Sequence, residues 1–153
     1  MTFLVVGGSG FIGLNVIEEL LASSERVISL DKSPIPPAAM NVFSKLPGKF
    51  IDIQLDITNA EDLDRVISEG DVGVIFYGAA ITAGVKREIS NPLSIFDVNV
   101  SGLLNVLEAA CRVTSVNRII NISSGSAYGN GGFGDTGWKD SLDEFGTRED
   151  PRT

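Results

Sequence analysis

Near the start of the chain an apolar run, FLVV at 3–6, breaks at Gly7 into a segment that carries glycine again at 8, 10 and 13, and the helix-like LNVIEELLASS follows at once. Glycines in such a turn let main-chain amides approach a bound group closely. The free N–H groups and partial positive charge of the helix start then favour an anion, and a diphosphate suits the arrangement. Asp31 ends the next apolar run, RVISL at 26–30, near the distance of about 20 residues at which a carboxylate meets the ribose of a dinucleotide. It can accept from both ribose hydroxyls, and its charge repels a 2′-phosphate, which points to NAD ahead of NADP. Lys32, the next residue, softens that preference. The spacing of Gly7, Gly10 and Gly13 is GxxGxxG and not the commoner GxGxxG, and taken alone it also fits an ordinary strand-to-helix turn.

The elements that must hold these residues alternate along the sequence. Strands are predicted at 3–6, 26–30, 50–56, 71–77 and 117–123. Helices are predicted at 11–23, at 59–69 and from Pro92 to about 114, with a short one at 38–45 inside the proline-bearing segment 31–48. Phe11, Ile12, Val16, Ile17, Leu20 and Leu21 recur at helical spacing, and Thr58 stands where a helix cap would, with Glu61 and Asp62 in the turn that follows. Five apolar strands separated by helices or crossovers predict an α/β, doubly wound parallel sheet covered on both faces. From 130 to 153 the sequence is rich in glycine and acids without periodicity, and it reads as a loop or disordered end whose continuation is missing.

The 153 residues bound one domain, with 43% hydrophobic and 21% charged residues in the range of globular proteins. A net charge of −8 argues against a nucleic-acid surface. No apolar run approaches the roughly 20 residues that cross a bilayer, so no membrane contact is expected. Met1 runs straight into the first strand without a basic leader, and the lone Cys111 cannot form an internal disulfide; both fit a cytoplasmic protein. Cys111 reads as a small core residue of its helix. The absence of histidine removes His-dependent triads and most zinc catalysis, and no metal site is expected.

Five segments occur in an order that carries more than any one of them: GGSGFIG at 7–13, LDITN at 55–59, YGAAITAG at 77–84, NPLSIFDVNVSGLLNVLEAA at 91–110 and NISSGSAYG at 121–129. As a set they resemble the extended short-chain dehydrogenase/reductase family, the NAD-dependent epimerases and dehydratases of nucleotide sugars. The resemblance implies a Rossmann-type domain, with the backbone of Phe11 and Ile12 against the pyrophosphate and their side chains mainly in the core. It implies that Asp56 accepts from the adenine amino group while Ile57 packs on the ring, and that Gly78, Ala79 and Ala80 are small where the cofactor lies along the chain. Beside that, Asp56 also reads as a strand-end aspartate capping Thr58 and Asn59, and Gly78–Ala80 as tight packing between sheet and helix. The resemblance makes Asn99 a buried, hydrogen-bonded residue near the active site. Ser124 becomes the catalytic hydroxyl that holds the substrate oxygen gaining or losing hydride, with Ser123 and Ser126 beside it and Tyr128 shaping the pocket. Tyr77 stands where the family commonly carries histidine.

The family's general acid/base is the tyrosine of a YxxxK pair, and neither Tyr77 nor Tyr128 is followed four residues later by lysine. The pattern places that pair soon after EDPRT. The chain is therefore expected to be the NAD-binding portion of a longer, homodimeric oxidoreductase acting on a nucleotide sugar, its sheet incomplete at the C-terminus, binding NAD weakly and inactive alone. Leu103, Leu104, Val106 and Leu107 are then expected to leave apolar surface uncovered. The alternative from another class is a non-catalytic NAD-binding sensor or regulatory module.

Overall fold

The computed structural model describes residues 1–82 and 89–123. In chain order these form β1 (Thr2–Val6), α1 (Phe11–Ala22), β2 (Arg26–Asp31), α2 (Pro37–Phe43), β3 (Lys49–Gln54), α3 (Ala60–Glu69) and β4 (Val74–Tyr77). There follow α4 (Pro92–Phe96), a π-helical turn (Asp97–Ser101), α5 (Gly102–Cys111) and β5 (Arg118–Asn121). They belong to a compact unit, Met1–Asn121; a second unit, Ile122–Thr153, lies almost wholly outside the described residues, as does the expected loop at 130–153.

All neighbouring strands are parallel, in the order β3-β2-β1-β4-β5. The chain steps outward from β1 to β3, then returns to place β4 on the other side of β1. That reversal opens a crevice at the carboxyl ends of β1 and β4, the place where open α/β sheets take their ligands. Side chains alternate across the strands. Leu4, Val6, Ile28 and Leu30 enter one core with Leu63 and Ile67 of α3 and Val106 and Ala109 of α5. Val5, Val27 and Phe76 enter the other with Ile17 and Leu21 of α1 and Phe43 of α2. Each fully buried leucine or isoleucine contributes about 1.5–3 kcal/mol, so the two helical layers fix which strand face each helix covers.

Several expectations need correction. Among the described strands, β2, β1 and β4 alone are covered on both faces; the outer strands β3 and β5 are largely exposed. Phe11 and Ile12 are not core residues, being 85% and 48% exposed, because the contact of α1 with the rest of the fold begins at Gly13. Asn59, not Thr58, caps α3, its Oδ1 accepting from the Asp62 amide at 3.4 Å. The helical run from Pro92 ends at Cys111, which is exposed and not a core residue. That run is long and apolar enough by composition to cross a bilayer, contrary to the sequence reading. It nonetheless lies along the sheet, burying Gly102, Val106, Ala109 and Ala110. Of the four residues expected to stay uncovered, Val106 is fully buried and Leu103 packs against the core. Leu104 and Leu107 are exposed, together with Leu93, Phe96 and Val100 earlier on the same helical run.

Candidate functional site

The turn after β1 is built for close approach. Gly7 has a φ of +84°, a left-handed conformation that costs a side-chain-bearing residue about 1–2 kcal/mol. Its amide donates to the Leu30 carbonyl at 2.8 Å, and its carbonyl accepts from the Gly10 amide at 3.2 Å. A Cβ at Gly7 would stand 2.7 Å from the Ala79 nitrogen, and one at Gly13 would stand 2.2 Å from the Gly7 oxygen. The turn is thus wedged between the exit of β4 and the first turns of α1. The Gly78 amide donates to the Val6 carbonyl at 2.9 Å and ties the two strand exits together.

Over these exits lies a cleft of about 250 Å³. Gly7 and Gly10 line one end, Asp31, Lys32, Asp56 and Ile57 the other, and Gly78, Ala79 and Ala80 the wall between. Asp31 ends β2 with both carboxylate oxygens aimed by backbone: Oδ2 accepts from the Ser9 amide at 3.1 Å and Oδ1 from the Ser33 amide at 3.0 Å. Lys32 Nζ donates to Asp56 Oδ2 at 2.9 Å, closing an ion pair at the cleft's edge. Asp56 Oδ1 accepts from both the amide and the hydroxyl of Thr58, at 3.0 and 2.8 Å. The Lys32 hydrogen bond first, then those of Thr58, hold the Asp56 carboxyl down at about 2, below the usual carboxylate range. Asp56 therefore stabilises its own loop, as a strand-end aspartate would, and it also lines the cleft.

Ile57 is buried at 6% exposure and rests on Gly102, where a Cβ would come within 2.5 Å of Ile57 Cδ1. Its carbonyl accepts from Asn105 Nδ2 at 3.0 Å. Asn99 grips one residue twice: its Oδ1 accepts from the Ile81 amide at 2.7 Å and its Nδ2 donates to the Ile81 carbonyl at 2.9 Å. Asn99 thus reaches the cleft through Ile81, which lines it, and not directly. Phe11 and Ile12 line a separate shallow depression along α1, and Gly13 sits beneath the turn. Ser124, Ser126 and Tyr128 lie outside the described residues; Ser123 is exposed. Leu30, Leu55, Ile81 and Val98 also line the cleft, and nothing in their residue types marks them in the sequence. Asn105 had a signal: a polar residue among Gly102, Val106, Ala109 and Ala110 on a helix face that buries itself.

A doubly wound parallel sheet with a glycine turn at its strand reversal and a backbone-held carboxylate at the end of the adjoining strand defines a Rossmann-type dinucleotide fold. Residues 3–149 match the model of the NAD dependent epimerase/dehydratase family, and the chain belongs to that family. A UDP-glucose 4-epimerase of Mycolicibacterium smegmatis is 36% identical over 130 residues, which are 84% of this chain and 41% of that protein. A structure of UDP-glucose-4-epimerase from Stenotrophomonas maltophila, with bound NAD and formylated UDP-arabinopyranose, superposes with a TM-score of 0.74 at 25% identity, covering 85% of this chain and 39% of the other. The UDP-glucose 4-epimerase of Bifidobacterium longum in complex with NAD⁺ and UDP gives a TM-score of 0.73 at 28% identity, covering 84% and 38%. The chain spans about two-fifths of the length of the first curated relatives it matches.

Proposed function

We propose that the cleft binds NAD, and that the chain is the cofactor-holding portion of an oxidoreductase that epimerises or dehydrates a nucleotide sugar. The observation that carries this reading is the convergence of the Gly7–Gly13 turn and the Asp31 carboxylate on one cleft at the strand reversal. The residues suit the group: backbone at Gly7 and Gly10 is bare where a diphosphate would approach, and Asp31 presents a carboxylate to the ribose hydroxyls. Asp56 would accept from the adenine amino group, with Ile57 and the small residues Gly78, Ala79 and Ala80, which line the same cleft, walling the ring and linker. The amides of Phe11 and Ile12, in the first turn of α1, would be the donors offered to the diphosphate. Lys32 is paired with Asp56, which takes its charge away from a 2′-phosphate and supports NAD over NADP.

The cofactor held there would supply hydride-transfer chemistry. Ser124, outside the described residues, is the side chain expected to hold the substrate oxygen, and Asn99 keeps the cleft wall at Ile81 in register. Relatives of this chain have been seen with UDP sugars or UDP, which supports a nucleotide sugar as substrate. The exposed stripe Leu93, Phe96, Val100, Leu104 and Leu107 supports a homodimer contact along that helix.

Calorimetric titration with NAD and with NADP tests the cofactor reading, with Asp31→Ala as the informative variant. Two lost hydrogen bonds to a charged acceptor, net of solvation, correspond to a loss of roughly 10-fold or more in NAD affinity, with the preference over NADP erased. Equal affinity for the two cofactors in the parent, or an unaltered titration in the variant, overturns it.

A further inference from the structure

We infer that Tyr77 is a positioning residue of the cleft: its hydroxyl locks the π-helical turn Asp97–Ser101, and through Asn99 that turn fixes the wall Gly78–Ile81. The inference rests on the NAD reading for its consequence, but its geometry stands apart from it.

The helical run from Pro92 to Cys111 is interrupted at its middle. In an α-helix the Gly102 amide would bond the Val98 carbonyl four residues back; here it reaches one residue further, to the Asp97 carbonyl. The Val98 carbonyl, having lost its α-helical donor, accepts from Tyr77 Oη at 3.2 Å. Tyr77 is the last residue of β4 and only 3% exposed, and burial pushes its phenol up to about 12, so it remains a donor across the working range. One residue further along the turn, Asn99 makes its two-point grip on Ile81. Two consecutive residues of the turn therefore hold the chain at 77 and at 81, and everything between is the cleft wall. Gly102, the first residue after the turn, leaves room for this: a Cβ there would lie 3.5 Å from Tyr77 Oη and 2.5 Å from Ile57 Cδ1.

A π turn is less favourable than the α-helix around it, and Val98-Asn99-Val100 sets two β-branched residues within it. Relaxing it to regular helix would return Gly102 to Val98 and rotate Asn99 relative to Ile81. The Tyr77 hydroxyl opposes that relaxation by holding the carbonyl the α-helix would need. A phenylalanine would fill the same core space without this function, which separates positioning from packing.

The test uses the full chain and Tyr77→Phe. With amide hydrogen exchange read by NMR, the Ile81 and Gly102 amides are expected to exchange roughly 3–10-fold faster in the variant, the factor expected for one net hydrogen bond. Central-strand amides such as Val5 move less. NAD affinity falls by a similar factor at a temperature where both proteins are folded. A purely structural role predicts otherwise: all slowly exchanging amides shift together and NAD affinity stays within two-fold, and that result overturns the inference. A measurement on the unaltered chain keeps it testable if the variant does not fold. Saturating NAD is expected to slow exchange at Ile81 and Gly102 by the same factor, although Gly102 lies outside the cleft lining; protection of Ile81 alone refutes the linkage. If the parent does not bind NAD at all, the cofactor reading fails, and the exchange comparison between parent and Tyr77→Phe still decides the lock.

Discussion

Alanine at Gly7 meets two costs: a left-handed φ of +84°, worth about 1–2 kcal/mol, and a Cβ at 2.7–2.9 Å from backbone atoms of Gly78 and Ala79. Those atoms are main chain pinned by the Gly78–Val6 hydrogen bond, so relief requires moving a strand exit, an overpacking cost of about 1–3 kcal/mol. Gly7→Ala is thus expected to destabilise by roughly 2–5 kcal/mol, a large share of the 5–15 kcal/mol typical of a domain. At Gly10 the backbone has a φ of −75° and a Cβ would meet only the Gly7 oxygen at 3.3 Å. Gly10→Ala is expected to lose about 1 kcal/mol or less, mostly from a poorer helix cap. It is nevertheless expected to weaken NAD binding by roughly 10-fold, because its methyl group stands on the surface where the diphosphate approaches. Urea unfolding followed by circular dichroism gives the stabilities, and calorimetry the affinities. Equal destabilisation by the two variants, or Gly10→Ala binding NAD as the parent does, refutes the assignment of one glycine to the fold and the other to the ligand.

Three further outcomes follow from particular contacts. Ser29 Oγ is buried under Gly8 with no hydrogen-bond partner among the described residues, so Ser29→Ala is expected to raise stability by about 1 kcal/mol in the same urea assay; a loss of that size would mean the hydroxyl has a partner. Asp56 titrates at about 2 in the fold against 3.8 as its ordinary value, so its contribution is complete above pH about 4 and disappears as the pH falls towards 2. The side chain is 36% exposed, and screening leaves about 1 kcal/mol or less; Lys32→Gln is expected to flatten the acid limb of stability against pH, and parallel limbs would remove Lys32 as the cause. Finally, with Phe96 and Leu104 at 60% and 52% exposure on one apolar stripe, sedimentation equilibrium is expected to show self-association that Phe96→Glu or Leu104→Glu weakens by roughly ten-fold or more; a monomer at all concentrations refutes it.

What the sequence made legible was local. Apolar runs of four to six residues, a glycine turn and an amphipathic helix each carry their signal within a dozen positions, so β1, α1, β2 and α3 fall within one or two residues of expectation. Asp31 was legible for the same reason, since its place relative to the turn is set by one helix and one strand. What the sequence hid depends on partners far along the chain. Lys32 and Asp56 are 24 residues apart, Tyr77 and Val98 are 21 apart, and Asn105 and Ile57 are 48 apart. None of these pairs has a spacing that marks it. Phe11 and Ile12 misled because their helical period is right; burial also depends on where along the helix the sheet begins, and periodicity carries no such information. Cys111 misled likewise, being apolar in type but placed at the exposed end of its helix.

A chain of net charge −8 has to attract a diphosphate with few cations to spare. Among the described residues that line the cleft, Lys32 is the one cation, and it is committed to Asp56. The attraction proposed here therefore comes from amides and the helix start at Gly10–Gly13, whose partial charges act only within the first turn. Short-range dipoles work only if the backbone comes very close, and that explains why side-chain bulk is excluded at Gly7 and Gly13, both from the turn itself and from the strand exit beside it. Close approach in turn demands that the opposite wall not move. In this chain that wall has no regular structure of its own beyond Tyr77 and is held by hydrogen bonds from a helix, at Val98 to one end and at Asn99 to the other. An acidic protein that binds an anion through its backbone has to keep both sides of the crevice rigid, and here the glycine turn secures one side and the π-helical turn the other.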